Sequence, residues 1–348
     1  SFGSKCRFKH EKANETKDLM LAYVYKKTRK VALRIKNEVA NQYRGLVTIR
    51  GVSRRAAKSK IKPQNIHLFT HARGGSTLLA EAISYVHQCP VVWEPFFKGR
   101  KPFNEYSHKE LWGWKEHVPC DASHSSIDEY FEAITSRRFL HPRFFTGQSI
   151  QGLHHTKPLV YKYCFANFLA PYLIRKFNLK CIILDRHPAQ IIASRKRYGG
   201  FIKNNSIYSI DSAQTKNSKE IFALHEDQRS SYIKSSIGVH AWNYCLIRKN
   251  YELLRSNDNV LRLNYDDLVL NPLAVSEQLS NFFGLTFSHE LFKKKSRVTV
   301  EPIAQGREQL MKWETVLSPA EINEIKGIVH DVFGFYEIRF DLTSHGLS

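Results

Sequence analysis

From residue 65 onward, short runs of consecutive apolar residues alternate with segments whose apolar positions recur every three or four residues. Ile66–Thr70 (IHLFT) reads as a buried strand, and Ser76–Gln88 as a helix with Leu78, Leu79, Ala82, Ile83 and Val86 on one face. Val91–Trp93 is a short apolar run. Cys181–Leu184 (CIIL) is a second buried strand, followed by a helix opening at Pro188, an acceptable first-turn position. Asn259–Leu263 (NVLRL) predicts a third strand, with helices at Leu273–Phe283 and Pro319–Phe333. Buried apolar strands separated by helices predict an α/β fold, a parallel sheet covered on both faces.

The first 64 residues read differently. They are polar and basic, with one helical stripe (Val24, Ala32, Ile35, Val39) that cannot build a core alone, and they end in a basic run at 53–60. Residues 1–64 are therefore expected to form a stem or lead-in, and 65–348 the main domain. The stretch 199–236, rich in Ser, Asn and Lys, reads as an insertion or lid. No internal repeat is visible.

Composition adds a partner class rather than a fold. With 53 basic and 32 acidic residues the formal charge is +21, which points to anionic partners: nucleic acid, acidic membranes, acidic glycans or phosphorylated cofactors. The six cysteines (Cys6, Cys89, Cys120, Cys164, Cys181, Cys245) form no CxxC pair and no cluster with histidine, so no metal site is expected. Their even number permits disulfides in an oxidising compartment. The triplets Asn14-Glu15-Thr16 and Asn204-Asn205-Ser206 would suit a lumenal glycoprotein. No apolar run of about eighteen residues exists to span a membrane. The chain begins with Ser, as a processed or trimmed product does, so membrane attachment is expected only through a segment absent from this chain.

Candidate chemistry concentrates in two places. In Thr70-His71-Ala72-Arg73-Gly74-Gly75-Ser76-Thr77-Leu78-Leu79, a strand meets a turn whose glycines let backbone approach an anion. The next helix opens with two hydroxyl residues at the positive end of its dipole, and Arg73 adds a full charge. The turn is P-loop-like and makes the predicted fold a P-loop-like three-layer one. Yet no Lys follows the glycines, which disfavours a metal-dependent kinase of the Walker type. The second place is Leu184-Asp185-Arg186-His187-Pro188-Ala189-Gln190-Ile191-Ile192-Ala193-Ser194-Arg195. Arg186 ends a buried strand, where open α/β sheets bind ligands, and Ser194 lies two helical turns on. Together they can hold a second phosphate.

Arg-Gly-Gly-Ser-Thr followed by Arg-His-Pro-Ala and then Ser-Arg resembles the sulfotransferase superfamily, closest to its Golgi-type carbohydrate branch. Val92-Trp93-Glu94-Pro95-Phe96, Lys157–Tyr163, Ala241-Trp242, Leu263-Asn264-Tyr265-Asp266-Asp267-Leu268 and Asn271-Pro272 resemble further family blocks in order, over roughly residues 65–340. The usual Arg-Asp-Pro-Arg is Arg186-His187-Pro188-Ala189 here, leaving its second arginine's role unfilled.

The resemblance implies in-line transfer of a sulfuryl group from 3′-phosphoadenosine 5′-phosphosulfate (PAPS) to a hydroxyl, with 3′,5′-phosphoadenosine (PAP) as product and no metal. It places the 5′-phosphosulfate on Arg73, Gly74, Gly75, Ser76, Thr77 and Leu78, the 3′-phosphate on Arg186 and Ser194, and a late-loop contact on Arg307. Arg73 would stabilise charge on the leaving phosphate, and Glu94 would act as base, held ionised beside Arg73 against the pull of burial. The cytosolic branch uses a histidine base, for which His71, His108, His154 and His155 are alternatives. Arginine at 73 favours a glycan or peptide acceptor, and a glycan fits the charge; a peptide tyrosine and a small-molecule hydroxyl stay open. The Golgi lumen is the expected setting. Trp112, Trp114, Phe144 and Phe145 could stack on sugar rings, although core packing is their default. A small-molecule kinase and a non-enzymatic polyanion-binding protein are the competing classes; nothing resembles a nucleic-acid module.

Overall fold

The four apolar runs, joined by Val160–Tyr163, become five strands of one parallel sheet: β1 (Ile66–Thr70), β2 (Val91–Trp93), β3 (Val160–Tyr163), β4 (Cys181–Asp185) and β5 (Val260–Asn264), in the spatial order β2-β3-β1-β4-β5. The computed structural model describes Lys27 and residues 45–59, 63–97, 117–145, 150, 152–199, 231–287 and 306–334. The stripe at 24–39, both sequons, His108, Trp112, Trp114 and positions 200–230 of the expected insertion lie outside the described residues. The chain divides into two compact units, Ser1–Gly51 and Val52–Ser348. The second unit carries the sheet.

Helices link the strands: α1 (Ser76–His87), α2 (Ser125–Thr135), α3 (Ala170–Lys176), α4 (Pro188–Tyr198), α5 (Ser236–Glu252), α6 (Tyr265–Leu270), α7 (Pro272–Phe283), α8 (Gly306–Met311) and α9 (Pro319–Gly334). Local chemistry sets several boundaries. Proline opens α4 and α7, where its missing N–H and fixed φ cost nothing. The Ser235 hydroxyl caps α5 by accepting from the Gly238 N–H at 2.9 Å. The chain leaves β1 for one edge, returns through β3, then crosses to β4 and β5. The order thus reverses at β1, and the crevice of such a sheet opens beyond the C-terminal ends of β1, β3 and β4.

Strand alternation gives the two faces different chemistry. Ile66, Leu68, Val160, Ile182 and Leu184 pack with Leu79 and Ile83 of α1 and Leu279 of α7 in an aliphatic layer. The opposite face is aromatic: the His67 ring stacks on Tyr161 at 5.2 Å, and Phe69 on Tyr163 at 4.6 Å. The five described cysteines (Cys89, Cys120, Cys164, Cys181, Cys245) are free thiols, so the disulfides an even count permits do not form among the described residues. Four of them, Cys89, Cys164, Cys181 and Cys245, are buried.

His67 carries a consequence for stability. Its Nδ1 lies 3.1 Å from the Tyr163 hydroxyl, and burial lowers its pKa from 6.5 to about 3. On acidification the unfolded chain takes up a proton near pH 6.5 that the folded chain refuses until about pH 3. This contribution is intact above pH 6.5 and is lost as pH falls. Between pH 7 and pH 5 it amounts to about 2 kcal/mol. Urea unfolding at both pH values should show wild type losing about that much more than His67→Phe; equal losses would remove His67 as the cause.

Candidate functional site

The site begins where β1 ends. The Thr70 hydroxyl donates to the Leu184 carbonyl at 2.9 Å, fixing the point at which the chain leaves the sheet. The Gly74 N–H closes a turn on the His71 carbonyl at 2.8 Å. Arg73 (φ 73°) and Gly75 (φ 94°) are both left-handed, and only the second has the residue type that adopts this freely. A Cβ on Gly75 would fall 2.2 Å from Cδ2 of Tyr265, and one on Gly74 2.3 Å from the Thr70 hydroxyl oxygen. Both glycines are therefore required by close approach. The helix α1 then starts at Ser76 with no side-chain cap and no acidic residue in its first turn. Its leading N–H groups have no intrahelical partner, so this end is built to receive an anion.

Two arginines and a serine converge on the turn. Arg73 Nε donates to the Ser194 hydroxyl at 3.1 Å, and its guanidinium lies 5.2 Å from the centre of the Tyr198 ring. Arg186 Nη1 donates to the Arg73 carbonyl at 3.0 Å. Three contacts aim Arg186: that carbonyl, the Tyr265 ring 3.9 Å beneath it, and Gln190 Oε1 at 2.8 Å. Gln190 Nε2 in turn donates to Asp266 at 3.2 Å. Burial and then the charge of Arg73 lower the Arg186 pKa, while Tyr265 and Asp266 oppose this. A guanidinium remains a cation under such shifts. Two positive charges beside the free end of a helix form a notch whose donors have the geometry to meet an oxyanion.

Glu94 follows β2 and is 8% exposed. The register of β2 on β3 sets Trp93 against Lys162, and the Glu94 N–H extends the ladder to the Lys162 carbonyl at 3.0 Å. Its left-handed backbone (φ 46°) turns the carboxylate back over β3. One oxygen accepts from Lys162 Nζ and the other from the Cys164 N–H at 2.7 Å. The cation beside Glu94 is thus Lys162, whereas Arg73 was the expected one. Arg73 engages Ser194 instead, because its left-handed turn sends the side chain toward α4. Burial works against a charged Lys162, but the Glu94 carboxylate outweighs it and raises its pKa. Burial and Glu94 also push the Cys164 thiol up to about 12, so it stays protonated. Cys164 Sγ lies 3.2 Å from Lys162 Nζ and 3.5 Å from the Ser76 hydroxyl, linking Glu94 to the start of α1.

Other expected residues fall elsewhere. The Leu78 side chain is 6% exposed and belongs to the aliphatic layer, so only its backbone can serve an anion. His71 is fully buried and stacks on Tyr244 at 4.5 Å; burial, then Arg195 and Arg248, hold its pKa well below the ordinary value. It is sealed from an acceptor. His154 and His155 precede β3, at the sheet end away from the loop. Phe144 and Phe145 are buried in the turn Pro142–Phe145 and pack in the interior. Arg307 lies in α8, but its side chain is outside the described residues. The Trp313 ring stacks on His187 at 5.4 Å, bringing that segment against the Arg186 turn. Sequence reasoning missed Lys162, Gln190 and Tyr265 as supports. Lys162 alone carried a signal, as a lysine inside an otherwise apolar strand.

No family model matches the chain, and no curated protein does. Solved structures similar to it include a sulfotransferase domain from the curacin biosynthetic pathway, at 18% identity over 81% of this chain and 100% of that one, with TM-score 0.45. A mouse sulfotransferase complexed with PAP aligns at 10% identity over 81% of this chain and 89% of that one, TM-score 0.39. Retinol dehydratase in complex with androsterone and inactive cofactor PAP aligns at 13% identity over 80% and 83%, TM-score 0.41. At this level of likeness the chemistry of the site rests on this chain's own residues.

Two stability effects follow from the geometry. Gly75→Ala forces a Cβ into the Tyr265 ring at a left-handed position and should cost about 1–3 kcal/mol in thermal unfolding; wild-type stability would contradict the turn. Lys162→Met strands a buried carboxylate and should cost about 3–5 kcal/mol. Adding Glu94→Gln should recover part of that loss, so a double-mutant cycle showing strict additivity would dissolve the pair.

Proposed function

We propose that the chain is a sulfotransferase that moves the sulfuryl group of PAPS to a hydroxyl. The observation that supports this most is the convergence of Arg73, Arg186 and Ser194 at the turn that leads into α1. A doubly phosphorylated nucleotide needs two anion sites at one sheet edge, and this notch offers two arginines, with no lysine following the glycines of the turn. Among the described residues no group of His, Cys, Asp and Glu is placed to hold a metal ion.

The donor supplies an activated sulfur–oxygen bond. For the chain's own residues the task is positioning and charge stabilisation. Arg73 and the N–H groups at the start of α1 would take the negative charge that grows on the departing phosphate as the bond to sulfur breaks. Glu94 would accept the proton of the acceptor hydroxyl as its oxygen bonds to sulfur. Each carboxylate oxygen keeps a second lone pair beside its bond to Lys162 or to Cys164 N–H. Lys162 would orient the carboxylate.

A glycan is our preferred acceptor, in a lumenal compartment such as the Golgi. The +21 charge suits an acidic polysaccharide, and Glu94-Pro95 resembles the corresponding segment of carbohydrate enzymes. A peptide tyrosine or a small-molecule hydroxyl is the second reading, which a screen of glycans, peptides, phenols and steroids with radiolabelled PAPS decides.

Calorimetry with PAP tests the notch directly. Arg73→Ala and Arg186→Ala should each weaken binding about tenfold or more, the scale of a charge-assisted contact; unchanged affinity in both would refute the assignment. Glu94→Gln should leave PAP affinity near wild type while turnover falls by about 10²-fold or more. Near-normal turnover would return the base to a histidine.

A further inference from the structure

We propose that Arg195 is a positioning residue that sets the direction of the phosphate loop's Arg73 N–H without touching the ligand. This rests on reading the loop as the donor site. Arg195 is 1% exposed. Its Nε and Nη2 both donate to the Ala72 carbonyl, at 3.3 and 3.2 Å. Its Nη1 lies 3.2 Å from Nδ1 of His240 on α5, and since a guanidinium only donates, that nitrogen accepts. One side chain thus references the loop to two helices distant in sequence.

Peptide geometry gives this clamp its consequence. A planar trans peptide points its carbonyl and its N–H in opposite directions. Fixing the Ala72 carbonyl inward, against α4, therefore turns the Arg73 N–H outward. That N–H has no acceptor among the described residues. Arg186 holds the next carbonyl, that of Arg73, at 3.0 Å. Two successive carbonyls are gripped by two arginines, one buried and one at the notch. The grip matters because left-handed Arg73 stores strain that a released loop would relieve by rotating this peptide.

Ser194 and Arg195 consequently divide one task. Neighbours on a helix point about 100° apart, so Ser194 meets the Arg73 side chain while Arg195 reaches beneath the loop. A lysine at 195 keeps the charge but places a single ammonium where a planar fork spans one oxygen. A small cavity of about 20 Å³ bordering Ala72, Arg195 and Asn243 has room for about one water, which helps such a variant remain folded.

The test combines PAP calorimetry with hydrogen exchange of the Arg73–Thr77 amides in wild type, Arg195→Lys and a core control, Leu279→Ala, in the aliphatic layer. The expected result is about tenfold weaker PAP binding and faster loop exchange in Arg195→Lys, with both unchanged in the destabilised control. Folded Arg195→Lys with wild-type affinity and exchange would overturn the proposal, as would equal losses in the control. If Arg195→Lys loses its cooperative melt, His240→Phe decides. It removes the acceptor for Nη1 and should speed loop exchange and weaken PAP binding about threefold; wild-type values there overturn the clamp. A wild type that binds no PAP defeats the donor reading instead, and loop exchange then still reports on the clamp.

Discussion

The functional edge of this protein depends on one strained turn. Between β1 and α1 the chain reverses through two left-handed residues, Arg73 and Gly75, within three positions. Such a turn survives only where its surroundings over-determine it. Here the surroundings act almost entirely on backbone carbonyls: His71 through the Gly74 N–H, Ala72 through Arg195, Arg73 through Arg186. The Ala72 carbonyl is drawn inward, so the Arg73 N–H faces outward, while the Gly74 N–H is engaged within the turn itself. Preorganisation of this kind is what transfer to and from a charged donor demands.

A second constraint supports the first. Lys162 sits in a buried strand whose neighbours are Tyr161 and Tyr163, and no lysine is kept there cheaply. Glu94 offsets the cost, and the β2–β3 register delivers it: Trp93 opposite Lys162 puts the next residue within reach of the ammonium. The left-handed backbone at Glu94 then directs the carboxylate inward. Cys164 and Ser76 carry the contact on to the start of α1, so the proposed base and the proposed donor site share one rigid frame.

Much of the frame was legible in the linear pattern. Ile66–Thr70 and Val91–Trp93 are read to the residue, and β4 differs only by the addition of Asp185. Apolar runs of this kind are fully buried strands, and their period needs no tertiary information. The strand at 259–263 shifts by one residue to Val260–Asn264, since its end is decided by pairing with β4 and not by hydropathy. The helix α7 opens one residue early, at Pro272, which carries no N–H to lose. Leu78 shows the limit of motif reading: it stands within the loop signature, but helical period turns its side chain to the core.

The sequence by itself determined the alternation of strands and helices, the glycine turn, and the residue types able to meet an anion. These are local properties, fixed by period, by φ and by charge. Which charges meet was decided only in three dimensions. Arg73 pairs with Ser194 across 121 positions, Glu94 with Lys162 across 68, and Arg195 with the Ala72 carbonyl across 123. Contacts at such separations depend on strand order and register, which arise from burying the whole sheet at once. No local signal states which cation will lie beside a given carboxylate.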